Sequence, residues 1–331
     1  MRPRLSGTEY IMNVVIVKKA PERTRRLILS KFPHDWKVVV VTPEELNKEL
    51  EDVEAIIPEH HTIDGPLLDR AKNLKLVQTG AGYDNVMVDE CTKRGVYVAN
   101  AAGVNASAVA EHVFAFILCW YKNMIPLDGL MKRGENGIDC IGAELSGKAI
   151  GIVGLGNIGR EVARLAKAFN MNVLGYHVRP IDTEVEIELK DFETLLRSSD
   201  VVTLHTPLND RTKHLIGRRE LVLMREDAFL INTSRGQVVN EAALIEALQS
   251  KKIGGAGLDV FETEPLPKNS PLRKLNNVIL TPHRAGSPDG LHFHHKRYEF
   301  FLENIRRVSE GRAPIKALNR IEKSPRSGFQ H

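Results

Sequence analysis

His283, Glu264 and Arg235 are the side chains of this sequence with the most chemistry to offer together. A histidine exchanges a proton near neutral pH. A carboxylate beside it favours its protonated form and fixes its orientation. An arginine presents a planar fork to another carboxylate. A proton donor next to a carboxylate anchor suits reduction of a 2-keto acid, if a hydride donor lies alongside. Taken singly, these residues also read as a surface arginine, a loop glutamate and a hydrogen-bonded loop histidine.

A seat for the hydride donor is legible upstream. The run Ala149-Ile150-Gly151-Ile152-Val153 reads as a buried strand, and residues 161–169 have helical apolar spacing. Between them Gly154, Gly156 and Gly159 fit G-x-G-x-x-G. These glycines make the tight turn, let backbone approach a pyrophosphate, and let helix pack closely on strand. The N–H groups and dipole of the new helix then face the phosphates. A second strand at 172–176 completes the unit and predicts dinucleotide binding. The alternative is a glycine-rich turn in an α/β protein that binds something else.

Polar signatures recur just after the later predicted strands. Thr206-Pro207 follows 201–205, and Thr233-Ser234-Arg235-Gly236 follows 228–232. Asp259 closes the strand begun at Gly255, with Glu264 in the loop beyond, and Pro282-His283-Arg284-Ala285-Gly286 follows 278–281. Strand C-terminal ends line the ligand crevice of an open parallel sheet. Arg235, Asp259, Glu264 and His283 are therefore expected to converge on one edge, beside the glycine turn.

The elements that must position them alternate. Short β-branched runs at 14–17, 38–41, 55–57, 74–78 and 96–99 are separated by helical stretches at 21–31, 43–50, 65–72 and 88–94. That alternation calls for a parallel sheet covered on both faces. A long helix at 106–121 leads out of this first unit, and 123–146 reads as a loose, glycine-containing stretch. A helix at 241–249 lies between two later strands, and a helix-like stretch runs from Pro288 to about 307. Residues 1–11 and 322–331 are polar, lack periodicity and read as flexible tails.

Bulk properties narrow the class. A length of 331 residues suits one large or two medium domains. A net charge of +4, from 46 basic and 42 acidic residues, gives no field to argue a nucleic-acid partner. It is compatible with an anionic substrate. Cys91, Cys119 and Cys140 are scattered without metal-ligand spacing, so reduced thiols and a cytoplasmic setting are expected. Neither a signal peptide nor an apolar run of membrane-spanning length is present, so no membrane partner is expected. His292 and His295 would share a helix face, with His294 between them, but no acidic or cysteine partner is evident and no metal is expected. His60-His61 reads as a loop feature near the substrate.

The motifs Thr79-Gly80-Ala81-Gly82-Tyr83-Asp84-Asn85, Gly103-Val104-Asn105-Ala106, Val109-Ala110-Glu111-His112, the glycine turn, Asn232-Thr233-Ser234-Arg235-Gly236, Gly257-Leu258-Asp259-Val260-Phe261-Glu262 and Thr281-Pro282-His283 together resemble the D-isomer-specific 2-hydroxyacid dehydrogenase family. The resemblance runs from residue 13 to about 321. It implies two doubly wound parallel-sheet domains, with a Rossmann NAD(P)-binding domain inserted into a flavodoxin-like substrate domain. The substrate domain would comprise 12–105 and 292–321, and the nucleotide domain 106–291. Linker helices would hinge a cleft that closes over substrate and excludes water.

The resemblance further implies Arg235 as substrate anchor and activator, Glu264 as partner of the histidine, and His283 as acid/base. The backbone of Gly80, Ala81 and Gly82 would hold the substrate carboxylate. Gly154, Gly156, Asn157, Ile158 and Gly159 would meet the pyrophosphate. Thr206, Thr233, Ser234, Arg235, Asp259, His283 and Gly286 would surround the nicotinamide side. The family also implies a homodimer, through the 106–121 helix and the 123–146 stretch.

One departure bears on the cofactor. NAD-preferring members carry an acid at the end of the second strand, where it bonds the adenosine ribose. Here His177 holds that position and Arg179 follows it. Nothing there repels a 2′-phosphate, so NADP is favoured over NAD. The expected activity is reduction of a small 2-keto acid, glyoxylate or hydroxypyruvate foremost. One alternative is D-3-phosphoglycerate dehydrogenase without a regulatory domain. Another, of a different class, is a cofactor-sensing binding protein of the same fold.

Overall fold

The computed structural model describes residues 12–137, 139–178, 185–287 and 295–321. The chain divides into two compact units, Met1–Val104 with Asp289–His331, and Asn105–Pro288.

The first unit is built on five parallel strands: β1 (Asn13–Val17), β2 (Lys37–Val41), β3 (Ala55–Ile57), β4 (Leu76–Thr79) and β5 (Tyr97–Asn100). Their order is β2-β1-β3-β4-β5, which is the flavodoxin-like winding. Val and Ile fill the strands because both faces are covered. The connections hold helices α1 (Glu22–Leu29), α2 (Gly65–Arg70) and α3 (Val88–Lys93). Asp64 caps α2, its Oδ1 accepting from the Leu67 N–H at 3.1 Å. The helix expected at 43–50 shrinks to a single 3-10 turn, Leu46–Lys48. There the Glu45 carboxylate takes the Thr42 N–H at 2.9 Å, and Leu46 and Leu50 are both buried, which anchors a compact turn rather than a regular helix.

The second unit opens with α4 (Ala106–Tyr121) and α5 (Met124–Lys132). The loose stretch expected from 123 thus begins with a helix. Pro126 falls in its first turn, where its missing N–H costs nothing, and Asp128 pairs with Lys132 at 2.7 Å. Asn123, at φ 50°, supplies the break between α4 and α5. The strands are β6 (Ala149–Val153), β7 (Asn172–Tyr176), β8 (Glu188–Leu189), β9 (Val201–Leu204), β10 (Phe229–Asn232), β11 (Gly255–Leu258) and β12 (Val278–Leu280). They form one parallel sheet in the order β12-β11-β10-β9-β6-β7-β8, and its β8-β7-β6-β9-β10-β11 part reproduces the dinucleotide-binding winding. Helices α6 (Asn157–Ala168), α7 (Phe192–Ser198), α8 (Arg218–Leu223) and α9 (Glu241–Gln249) link them. Apolar clusters line both faces of this sheet, one around Leu204, Leu230 and Leu258, the other around Ile152, Phe229 and Ile231.

The chain then returns to the first unit as α10 (His295–Ser309). Tyr298, Phe301, Ile305 and Val308 pack on Val14, Ile16, Ile57 and Leu76. The buried Asn304 amide joins α10 to β4, donating to Gln78 Oε1 at 2.7 Å. The following segment covers the free edge of β5. Leu318 N–H donates to Val98 O at 2.7 Å, and Asn319 Oδ1 accepts from Val98 N–H at 2.8 Å. No helix among the described residues is long and apolar enough to cross a membrane.

Both sheets are parallel and wound on both faces, so the α/β class read from the strand–helix alternation is the architecture observed.

Candidate active site

The glycine turn leaves β6 and enters α6. Gly154 has φ 99°, and a Cβ there would stand 2.7 Å from the His205 carbonyl oxygen. A Cβ on Gly159 would stand 2.1 Å from Gly154 O, so helix and strand meet this closely only with glycine. Gly156 differs: open space lies beyond it. It is the N-cap of α6 and no side chain caps that helix, which leaves the first-turn N–H groups of Asn157 and Ile158 for an anion. His177 follows β7, and its Nδ1 lies 3.3 Å from the Leu155 nitrogen as acceptor. The residue at the expected acid position therefore buttresses the turn itself. Arg179 lies outside the described residues.

Two hydroxyls at strand ends complete this edge. Thr206 Oγ1 and Thr233 Oγ1 are buried, and each lacks a hydrogen-bond partner among the described residues. A buried hydroxyl without a partner is costly. Together with the open Gly156 and the uncapped α6, these orphaned groups fit a dinucleotide lying across the edge.

Beyond β10, Asn232 folds the next residues into a tight turn. Its Oδ1 accepts from Ser234 N–H at 3.0 Å and from Ser234 Oγ at 2.8 Å, and its Nδ2 donates to Arg235 O at 2.9 Å. Gly236 is obligatory there, since a Cβ would overlap Phe261 C and O at 1.9 Å. This contact presses the Arg235 turn against the loop after β11. That loop carries Glu264, whose Oε1 accepts from Phe261 N–H at 3.1 Å. Its Oε2 meets His283 Nδ1 at 2.7 Å. Burial pushes the Glu264 carboxyl up, but His283, the Phe261 N–H and the charge of Arg235 more than offset it and hold it below the ordinary carboxylate range.

His283 itself sits at φ 53°, and its N–H donates to Asp259 O at 2.8 Å. Its side chain is 37% exposed and that of Glu264 is 36% exposed, so the pair is open to a ligand. Asp259 is 1% exposed. Its Oδ1 accepts from Thr281 Oγ1 at 2.6 Å and from Arg284 N–H at 2.7 Å, and its Oδ2 from Ala285 N–H at 2.8 Å. These bonds fix the backbone on either side of His283. The structure thus places Arg235, Asp259, Glu264 and His283 at the C-terminal ends of β10, β11 and β12. Gly286 closes the loop, a Cβ there standing 2.8 Å from Asn105 Nδ2. Gly80, Ala81 and Gly82 belong to the other unit, in the turn after β4.

Three further residues support the site, and two of them, His112 and His205, carry no obvious sequence signal of their role. His112 on α4 meets Thr281 Oγ1 at 2.9 Å and sets its ring edge-on to Phe116. Burial, opposed by Asp259, lowers its pKa. His205 Nε2 meets Thr203 Oγ1 at 2.9 Å, and burial pushes this imidazole down to about 3. Asn232 had a partial signal, because Asn before Thr-Ser is an Asx-turn composition.

Residues 114–285 match the family described as D-isomer specific 2-hydroxyacid dehydrogenase, NAD binding domain. The chain is 38% identical over 325 residues to a glyoxylate reductase of Thermococcus litoralis, covering 93% of this chain and 96% of that one. It is similar to a solved protein from Thermus thermophilus, with TM-score 0.83 and 32% identity over 93% of this chain and 100% of that one. It is also similar to an acyclic imino acid reductase solved in complex with NADPH and D-Arg, with TM-score 0.81 and 30% identity over 93% of this chain and 100% of that one. The chain belongs to the D-isomer specific 2-hydroxyacid dehydrogenase family, NAD(P)-dependent oxidoreductases of small 2-keto and 2-hydroxy acids.

Proposed function

We propose that this protein reduces a small 2-keto acid, glyoxylate or hydroxypyruvate, with NADPH. The observation that carries the reading is the 2.7 Å pair of His283 and Glu264, set on the sheet edge that also carries the glycine turn. A bound nicotinamide dinucleotide supplies a hydride to the keto carbon. Gly154, Gly156 and the first turn of α6 receive its phosphates, and the Thr206 and Thr233 hydroxyls gain the partners they lack. Arg235 draws charge toward the keto oxygen and holds the acid. His283, oriented through Nδ1 by Glu264, gives that oxygen its proton from Nε2. In reverse, the same nitrogen takes the proton of a D-2-hydroxy acid. In the first unit, the amides of the turn at Gly80, Ala81 and Gly82 bind the acid's carboxylate.

The choice of NADPH rests on His177, which takes the place of a carboxylate at the end of β7, and on Arg179 beside it in sequence. The choice of glyoxylate rests on likeness to a glyoxylate reductase over nearly the whole chain. We also propose pairing of two copies through α5, which carries exposed Met124, Ile125 and Met131.

The deciding experiment is cofactor oxidation by the purified protein, NADPH against NADH, with glyoxylate, hydroxypyruvate and phosphohydroxypyruvate. NADPH turnover on the first two supports the reading. NADH-only turnover removes the cofactor assignment, and preference for the phosphorylated acid removes the substrate assignment. Tight cofactor binding without any turnover reassigns the chain to cofactor sensing.

A further inference from the structure

Parallel sheets bind ligands at the point where the winding of the strands reverses, outside their carboxyl ends. In the first unit that point lies between β1 and β3. Lys18 follows β1, Glu59 lies just past β3, and Gly80 follows β4. The first turn of α10 adds Arg297 and Tyr298.

These residues make one charged cluster. Glu59 Oε1 accepts from Arg297 Nη2, from Tyr298 Oη at 3.3 Å, and faces Lys18 Nζ at 3.5 Å. The Glu59 side chain is 12% exposed. Burial pushes its carboxyl up, but Arg297 and Lys18 overcome this and hold it down at about 2. The Arg297 guanidinium is further fixed over two rings, 5.7 Å from the Tyr298 centroid and 5.3 Å from that of Phe301.

Two features say that the cluster does more than hold the fold. A buried ion pair is weak support for stability, since apolar residues of the same volume serve as well or better. Glu59 also sits at φ 47°, a backbone state that a non-glycine residue keeps only where its surroundings dictate it. Such strain gathers at functional sites.

The cluster bears on the Gly80 turn. Arg297 Nη1 lies 3.5 Å from where a Cβ of Gly80 would be, so the guanidinium faces the open side of that residue. Asn85, at the far end of the same loop, bonds the carbonyls of Glu59 at 3.1 Å and His61 at 2.6 Å. On its inner side the turn is tied down through Gly80 O, which accepts from Ala101 N–H at 2.8 Å, and Ala81 O, which accepts from Asn100 Nδ2 at 3.2 Å.

We infer that Arg297 is a positioning residue for substrate recognition. Held by Glu59 and by the rings of Tyr298 and Phe301, it sets the turn whose amides receive the acid's carboxylate. The inference rests on the reading of that turn given under Proposed function. It predicts an effect on the acid and none on the dinucleotide, whose seat lies in the second unit.

The test uses the full-length protein with NADPH and three variants: Arg297→Lys, Arg297→Met, and Arg297→Met combined with Glu59→Gln. The double variant removes both charges of the Arg297–Glu59 pair and leaves only that of Lys18, and its melting temperature reports whether the fold is intact. KM and kcat for glyoxylate, the Kd of oxamate on the NADPH complex, and the Kd of NADPH are measured for each. The expected result in the double variant is a rise of about tenfold or more in KM and oxamate Kd, with kcat within about threefold. NADPH affinity stays unchanged, and Arg297→Lys recovers part of the loss. A double variant that melts like the wild type and keeps wild-type KM and oxamate Kd overturns the inference alone. Wild-type protein that binds neither glyoxylate nor oxamate overturns the reading of the turn, and the inference with it.

Discussion

His283 Nδ1 lies 2.7 Å from one oxygen of Glu264, while the other oxygen of that carboxylate takes the Phe261 N–H at 3.1 Å. The imidazole is thus oriented by a group that the backbone itself orients, and in the proposed reaction Nε2 is the nitrogen that gives the proton. His283→Ala removes the proton donor without touching the glycine turn. The kcat for glyoxylate is expected to fall about 100- to 10,000-fold, with NADPH Kd, read by fluorescence titration, unchanged. Turnover at the wild-type rate would take His283 out of the reaction.

The orphaned hydroxyls of Thr206 and Thr233 predict opposite effects on stability and binding. Valine keeps their shape and removes the unsatisfied oxygen. Each Thr→Val change is expected to stabilise the cofactor-free protein by about 1 kcal/mol and to weaken NADPH binding about tenfold. Denaturant melts and a binding titration measure the two. A variant that gains stability but binds as tightly as before would mean that its hydroxyl never meets the dinucleotide.

Glu59 predicts an acid-sensitive fold. Its folded pKa of about 2 lies below the ordinary 4.5. The carboxylate therefore contributes its full stability above about pH 4.5 and loses it as pH falls toward 2. The difference is on the order of 3 kcal/mol. Wild-type protein should lose melting temperature across that window. Glu59→Gln should be less stable at neutral pH, because the Arg297 charge loses its carboxylate, and should lose less on acidification. Parallel acid profiles for the two proteins would contradict the pairing.

The apolar side chains of α5 and the segment after it predict association. Ile141 is 82% exposed and Met131 64% exposed, so both side chains are open to a partner. Ile141→Glu and Met131→Glu together should convert a dimer to a monomer in light scattering at micromolar protein. A wild-type protein already monomeric at that concentration would refute the pairing.

Local patterns were readable in the sequence, and distant pairings were not. The glycine turn announces itself because strand, spacing and helix are contiguous, so periodicity alone places Gly154, Gly156 and Gly159. The strand ends that carry Arg235, Glu264 and His283 follow from runs such as Phe229-Leu230-Ile231-Asn232. In contrast, Pro126 and Gly129 depress helix propensity across α5, and the helix is permissible because Pro126 falls in its first turn. Arg297 and Glu59 are 238 residues apart, and no periodicity links them. The bond from Leu155 to His177 was equally invisible, because the residue expected to face the cofactor also props the turn.

The strap along β5 has a consequence for biosynthesis. Val98 finds its partner Asn319 only 221 residues later. At about 5–20 residues per second on the ribosome, that partner emerges roughly 10–40 s after Val98. The second unit is continuous in sequence and can finish first, although it is made second. Until then the first sheet waits with one edge unpaired and with Ile16, Ile57 and Leu76 uncovered by α10. A nascent chain in that state is a natural client for chaperones, and a message cut short before α10 yields a sheet with an open apolar face rather than a smaller working protein.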